Sequence, residues 1–150
     1  MRFRFIAPVT DQTEKKLQNK EKLSADNDSE DSTVNSNSIS EAIELLCNEI
    51  LNNLSQQYTI EDLAKKSGYS SRMIHYGFMR YTNCSPAKWI MKERLTKARE
   101  MILSKDSQSS ISSIAHQLGF TSSSKFSSYY RRMHGESPSE TLKNLKSSRS

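Results

Sequence analysis

Arg72, His75 and Tyr76 stand at i, i+3 and i+4 in a helical run, and their side chains suit recognition rather than catalysis. A guanidinium near a helix start can donate two parallel hydrogen bonds to guanine O6 and N7, a pairing that discriminates by about 1–3 kcal/mol. An imidazole and a phenol beside it add further hydrogen bonds or an apolar surface for a thymine methyl. The alternative for all three is a solvated helix surface or a contact to phosphate. Lys125, Arg131 and Arg132, in a second helical run, are groups that pair with phosphate. Enzyme chemistry finds no such support. His75, His116 and His134 lack metal-ligand spacing, the carboxylates show no paired arrangement, and there is no Gly-x-Ser-x-Gly elbow. Cys47 and Cys84 are too few for a disulfide framework or a zinc site. Cys47 is expected in a core and Cys84 in a plain turn rather than as a reactive thiol. No cofactor is expected.

The elements that must hold these side chains form a repeat. Leu63-Ala64-Lys65-Lys66-Ser67-Gly68-Tyr69-Ser70 returns 51 residues later as Ile114-Ala115-His116-Gln117-Leu118-Gly119-Phe120-Thr121, and each copy runs on to a Ser-Pro pair, Ser85-Pro86 and Ser137-Pro138. A short helix, a turn at Gly and a second helix make a helix-turn-helix unit. Two such units suit a protein that reads two stretches of DNA major groove.

Charge and composition divide the 150 residues in two. Residues 1–40 carry 6 Lys/Arg against 7 Asp/Glu, a net of −1, whereas 41–150 carry 16 against 10, a net of +6, so the positive excess of the chain belongs to the second part. A positive folded part fits a phosphate-facing surface, although many proteins of such charge bind no nucleic acid. Between Asn19 and Ser38 only Leu23, Ala25 and Val34 are apolar, and the mean hydropathy of the chain is −0.75. Residues 1–40 are therefore expected to be a disordered polar segment. The apolar run after Met1 is too short for a signal peptide, no stretch approaches a membrane span, and the cysteine usage suits a reducing cytoplasm.

The rest of the chain reads as about seven helices, an all-α domain over 41–145. Ile43, Leu46, Cys47, Ile50, Leu51 and Leu54 form an amphipathic stripe on a first helix starting near Ser40. Thr59 and Asp62 are spaced as a capping box, Gly68 ends that short helix, and Ser70 caps the next, which runs to about Tyr81 with Ile74 and Phe78 inward. Gly77 inside that helix costs about 1 kcal/mol relative to Ala; either another element approaches closely there or the glycine has no packing role. Ser85 as cap and Pro86 at the first position open a long helix to about Ser104, with Met91, Leu95, Ala98 and Ile102 inward and Trp89 beside them. Lys88, Lys92, Arg94, Lys97 and Arg99 place five positive charges on it against Glu93 and Glu100. At 1.5 Å per residue the helix is about 28 Å long, near the ~34 Å of one turn of B-DNA.

Lys105 to Ser110 reads as a loop, after which Ser110 caps a helix with Ile111, Ile114, Ala115 and Leu118 inward. A further helix from about Ser122 to His134 turns Phe126, Tyr130 and Met133 inward, and the Ser137-Pro138-Ser139-Glu140 capping box opens a last helix to about Leu145, before a frayed tail at 146–150. The two units span about 59–82 and 110–134.

Together these residues resemble the DNA-binding domain of the AraC/XylS family of bacterial transcription regulators. The specific motif is Ile114-Ala115-His116-Gln117-Leu118-Gly119-Phe120, then Phe126, Tyr130 and Gly135-Glu136-Ser137-Pro138, with Arg94-Leu95, Ala98 and Ile102-Leu103 in the linking helix. The resemblance covers roughly 41–145. It implies two helix-turn-helix units joined by the long helix, with two recognition helices entering successive major grooves of double-stranded DNA. It implies base contacts from Arg72, His75 and Tyr76 in the first unit and from Ser123, Ser124, Ser127 and Ser128 in the second. Phosphate contacts are expected from Ser70, Lys125, Arg131 and Arg132. Activation through RNA polymerase, in the bacterial cytoplasm at the nucleoid, is the expected role.

Departures from the family pattern are Asn83, where the first unit usually has Gly, the mid-helix Gly77, and the serine-rich second recognition helix. Asn tolerates a left-handed turn. Serine contacts almost any base edge or phosphate, so the second helix is suited to anchoring. The competing function is a protein-interaction module of the same fold, binding RNA polymerase or another regulator with little sequence reading. No small-molecule effector is evident; the chain is either a one-domain regulator controlled by its abundance or a fragment of a longer one with a sensor domain.

Overall fold

A computed structural model describes residues 36–104 and 109–148, and among these residues the regular structure is helical throughout: α1 (Ser36–Asn52), α2 (Ile60–Ser67), α3 (Ser71–Thr82), α4 (Pro86–Leu103), α5 (Ile111–Gln117), α6 (Ser123–His134) and α7 (Pro138–Ser147). The expected disorder of the N-terminal segment concerns residues of which 1–35 lie outside the described ones, as do 105–108 of the expected loop and the last two residues of the tail. α1 starts at Ser36, ahead of the expected Ser40, because Ile39 adds one more buried residue to its stripe. Leu51, expected on that stripe, is 44% exposed. It sits about 80° around the helix from Ile43, past the edge of the arc that Ile39, Ile43, Leu46, Cys47, Ile50 and Leu54 bury. α7 also outruns its expected end at Leu145 by two residues.

The turns follow local chemistry. The Thr59 hydroxyl accepts from the Asp62 amide at 3.1 Å while the Asp62 carboxylate accepts from the Thr59 amide at 2.9 Å. These bonds hold the Asp62 carboxyl below its usual range. Ser70, Ser110 and Ser122 each cap the next helix through the side chain, but Ser85 makes no such bond; at that helix start Pro86 carries the signal through its preset φ. Asn83 adopts φ 59°, the left-handed geometry that Gly supplies elsewhere.

α4 is the spine. Its residues Ile90, Leu95, Ala98 and Ile102 are buried, and it packs against α3, α5, α6 and α7. At its start Trp89 lies 5.8 Å from Phe78 of α3; along α6, Phe126 meets Phe120 at 4.9 Å and Tyr130 at 5.7 Å. Met133, expected inward, is 37% exposed, because the place beside Tyr130 is taken by His134, whose ring lies 4.5 Å away and whose Nε2 is 3.1 Å from the Leu95 carbonyl. Gly77 has a packing reason: a Cβ there would stand 2.7 Å from Ile43 Cγ1 and 2.9 Å from Ile43 Cδ1, so α1 lies directly on the α3 backbone.

Charge reinforces the first turn of the last helix, which also buries Pro138 and Thr141. Glu140 accepts from the Ser137 amide at 2.6 Å and from Arg131 at 3.1 Å, and these partners bring its carboxyl down from 4.5 to about 2. A carboxylate whose folded pKa is depressed stabilises the fold above its unfolded pKa and loses that contribution as pH falls through the folded value. α7 should therefore loosen between about pH 4.5 and pH 2, a window that Glu140→Gln removes; amide exchange of residues 139–147 against pH checks this.

Candidate nucleic-acid interface

α3 shows how a helix that buries one side presents the other. Ile74, Gly77 and Phe78 face the core, and Arg72, His75, Tyr76, Met79 and Arg80 are exposed. Arg72, His75, Tyr76 and Met79 fall at i, i+3, i+4 and i+7, one stripe along the helix. Met79, 42% exposed, was missed in the sequence, although the i+7 spacing from Arg72 points to it. Ser70 stands at the start of this stripe, exposed, its hydroxyl accepting from the Met73 amide at 3.3 Å. The three sequence-expected base readers of the first unit thus lie together on one exposed face, next to the positive end of the helix dipole.

α6 repeats the design with different chemistry. Phe126 and Tyr130 are buried, while Ser123, Ser124, Lys125, Ser128, Tyr129, Arg131 and Arg132 are exposed and Ser127 is half-buried. Several of its polar groups already have partners. Ser123 Oγ is 3.3 Å from Ser112 Oγ of α5, and the Ser128 hydroxyl donates to the Ser124 carbonyl at 3.1 Å. Arg131 is paired with Glu140 at 3.1 Å. Lys125 and Arg132 are its exposed cations outside that ion pair, and Tyr129, 41% exposed and not anticipated, is the one aromatic group added to this surface.

The long helix contributes less positive surface than its composition suggests. Arg94 is 6% exposed and spends its guanidinium inside the protein: Nε donates to the Leu54 carbonyl at 2.8 Å and Nη2 to the Gln56 carbonyl at 2.6 Å. Burial moves its pKa downward. Arg99 pairs with Glu136 at 3.1 Å and Lys97 with Glu100 at 3.1 Å. Of the five cations expected to mark this helix, Arg94 is therefore a structural group and two more are balanced by carboxylates.

Neither cysteine joins the exposed faces. Cys47 is buried in the core, and that burial, reinforced by Glu93, pushes its thiol up to about 12. Cys84 is half-buried in the turn before α4, with its sulfur 3.4 Å from the Thr82 hydroxyl. Among the described residues no group of three His, Cys, Asp or Glu side chains is placed to hold a metal ion, and no helix is long and apolar enough to cross a membrane.

Comparison with known proteins agrees with this geometry. A family model described as a helix-turn-helix domain matches residues 63–144, more than half of the chain. The transcriptional activator RhaS of Pectobacterium carotovorum is 28% identical over 106 residues, which cover 71% of this chain and 37% of RhaS. The crystal structure of a probable AraC family transcriptional regulator from Rhodopseudomonas palustris is similar at a TM-score of 0.63 and 31% identity, covering 70% of this chain and 97% of that one. The DNA-binding domain of AdpA, solved in complex with a target DNA, shares the fold at a TM-score of 0.67 and 24% identity, covering 72% and 96%. The chain spans between 23% and 37% of the length of such curated relatives.

Proposed function

The chain belongs to the AraC family of helix-turn-helix transcription regulators, and from that premise we propose that it binds double-stranded DNA with α3 in one major groove and α6 in the next on the same face. The observation that carries this is the repeated arrangement itself. Two helices, each anchored by a buried aromatic pair or stripe, turn an exposed polar face outward at equivalent places in two units. In the first unit Arg72, His75 and Tyr76 read base edges, with Met79 offered to a thymine methyl. In the second, Ser123, Ser124, Ser127 and Ser128 make weakly discriminating contacts while Lys125, Arg132 and, after exchange from Glu140, Arg131 hold phosphates. Ser70 holds a phosphate at the start of α3. A duplex that does not present both grooves at the angle set by α4 must bend to engage both units.

The regulator acts in the bacterial cytoplasm at the nucleoid. RhaS is an activator, and by analogy this chain raises transcription through contact with RNA polymerase.

One observation favours a second reading. The internal engagement of Ser123, Ser128 and Arg131, next to exposed Tyr129 and Met133, suits a protein-binding rather than a base-reading face on α6. In that reading DNA binding is salt-sensitive but without sequence preference.

Substitution separates the two. Arg72→Ala should lower affinity for the preferred sequence about tenfold and relax the preference at one or two positions, as expected for loss of about 1–3 kcal/mol of base discrimination. Lys125→Ala should weaken all sequences alike and reduce the salt slope by about one. An unchanged preferred sequence in Arg72→Ala removes α3 from base reading.

A further inference from the structure

The turn between α1 and α2 reaches across to the turn of the second unit. Gln57 Nε2 donates to the Gly119 carbonyl at 2.7 Å, a bond between residues 62 apart in sequence. Gly119, at φ +81°, is approached so closely that a Cβ would stand 2.6 Å from the Ser55 carbonyl oxygen, 3.0 Å from Gln57 Nε2 and 3.2 Å from Arg94 Nη2. Arg94 in turn fixes the same turn to α4 through the Leu54 and Gln56 carbonyls. The first unit begins directly after this turn, at the Thr59 cap of α2, and Gly119 is the pivot between α5 and α6 of the second.

We propose that Gln57, seated on the Gly119 carbonyl and backed by Arg94, is a positioning residue that locks the two helix-turn-helix units at one angle, so that the protein accepts a single helical phasing of its two DNA blocks. Two bodies joined along one helix can twist about it, and small interfaces between bodies leave such motion free. A contact away from the helix axis opposes that twist. The tie also preorganises both recognition helices before DNA arrives, which lowers the ordering cost of binding. Gln57 itself is exposed, so its effect on the angle is separable from stability.

The inference rests on the two-groove reading, and its test is built to fail separately from it. Inserting one base pair between two DNA blocks turns the second by about 34° and shifts it by about 3.4 Å. For the full chain, affinity across a series of spacings should show one sharp optimum, with about a tenfold loss at one added base pair. Gln57→Ala should lower affinity at the optimum about fivefold, the worth of one hydrogen bond, and flatten the profile so that the added base pair costs about twofold. Gln57→Glu, which offers a carboxylate to a carbonyl and cannot donate, should flatten it at least as far. A residue that merely supports folding would lower every spacing alike and leave the shape of the profile unchanged; that result in both variants overturns the proposal.

Residual dipolar couplings of the DNA-free full chain give an independent reading. In the unsubstituted protein residues 60–82 and 111–134 should fit one alignment, and in both variants they should need two. If the chain prefers no two-block DNA at any spacing, the two-groove reading fails, and a single unchanged alignment in both variants would then overturn the tie as well.

Discussion

Phe126→Ala is expected to lower the unfolding free energy by about 3–5 kcal/mol, the range for emptying a fully buried aromatic position. Phe126 is 0% exposed and links two neighbours, with its ring 4.9 Å from Phe120 and 5.7 Å from Tyr130. It therefore joins the turn after α5 to the helix that carries the second unit's outward face. Small domains hold only about 5–15 kcal/mol in total, so the loss is a large share of the fold. The consequence for DNA should be uneven. With α6 poorly seated, the phosphate contacts proposed for Lys125 and Arg132 should be lost while Arg72, His75 and Tyr76 stay on an intact α3. Urea unfolding measures the first effect, and base preference at the first block, which should persist, measures the second. A loss below about 1 kcal/mol would mean that α6 does not depend on this aromatic cluster.

Arg94→Ala is the second large effect, with an expected loss of about 3 kcal/mol. Hydrogen bonds to a charged donor contribute about 1.5–3 kcal/mol each, and Arg94 makes two, to Leu54 and Gln56. Relief from burying the guanidinium offsets part of this. What remains is the cost of two carbonyls deprived of their donor and of the space left by a side chain that was 6% exposed. Arg94→Lys should recover little, because an ammonium cannot serve both carbonyls in the guanidinium's planar fork. The check is urea unfolding of both variants: equal stability of Arg94→Lys and the unsubstituted protein would show that charge alone, rather than the fork, holds the turn.

Arg94 also marks the boundary of what the sequence discloses. An arginine among lysines on a helix reads as surface charge, and its actual partners are carbonyls 38 and 40 residues away, invisible to any local pattern. Gly77 is similar. Its role comes from Ile39 and Ile43 on another helix, so the sequence leaves open whether it packs at all. The local signals were legible for the opposite reason. The Thr59–Asp62 and Ser137–Glu140 capping boxes and the left-handed turn at Asn83 are settled by residues three apart or by one residue's own backbone.

The outward face of α3 was legible because burying Ile74 and Phe78 fixes where Arg72, His75 and Tyr76 point. The same logic at i+7 reaches Met79, which an eye set on polar groups passes over. On α6 the periodicity places Met133 inward, but the helix end lies where His134 fills the space against Tyr130 and Leu95, a competition that spacing cannot rank. Internal pairing of Arg131 with Glu140 was equally hidden, since it joins α6 to α7 across the turn at Gly135.

The central claim is that two helices of one domain read two neighbouring stretches of DNA. Selection of binders by the full chain from a random duplex library at about physiological salt tests it most directly. The account predicts an asymmetric motif of two blocks about 10 bp apart, with the preference relaxed at one or two positions of the stronger block in Arg72→Ala. Enrichment of no motif, with binding that falls steeply with salt for every sequence alike, would contradict it.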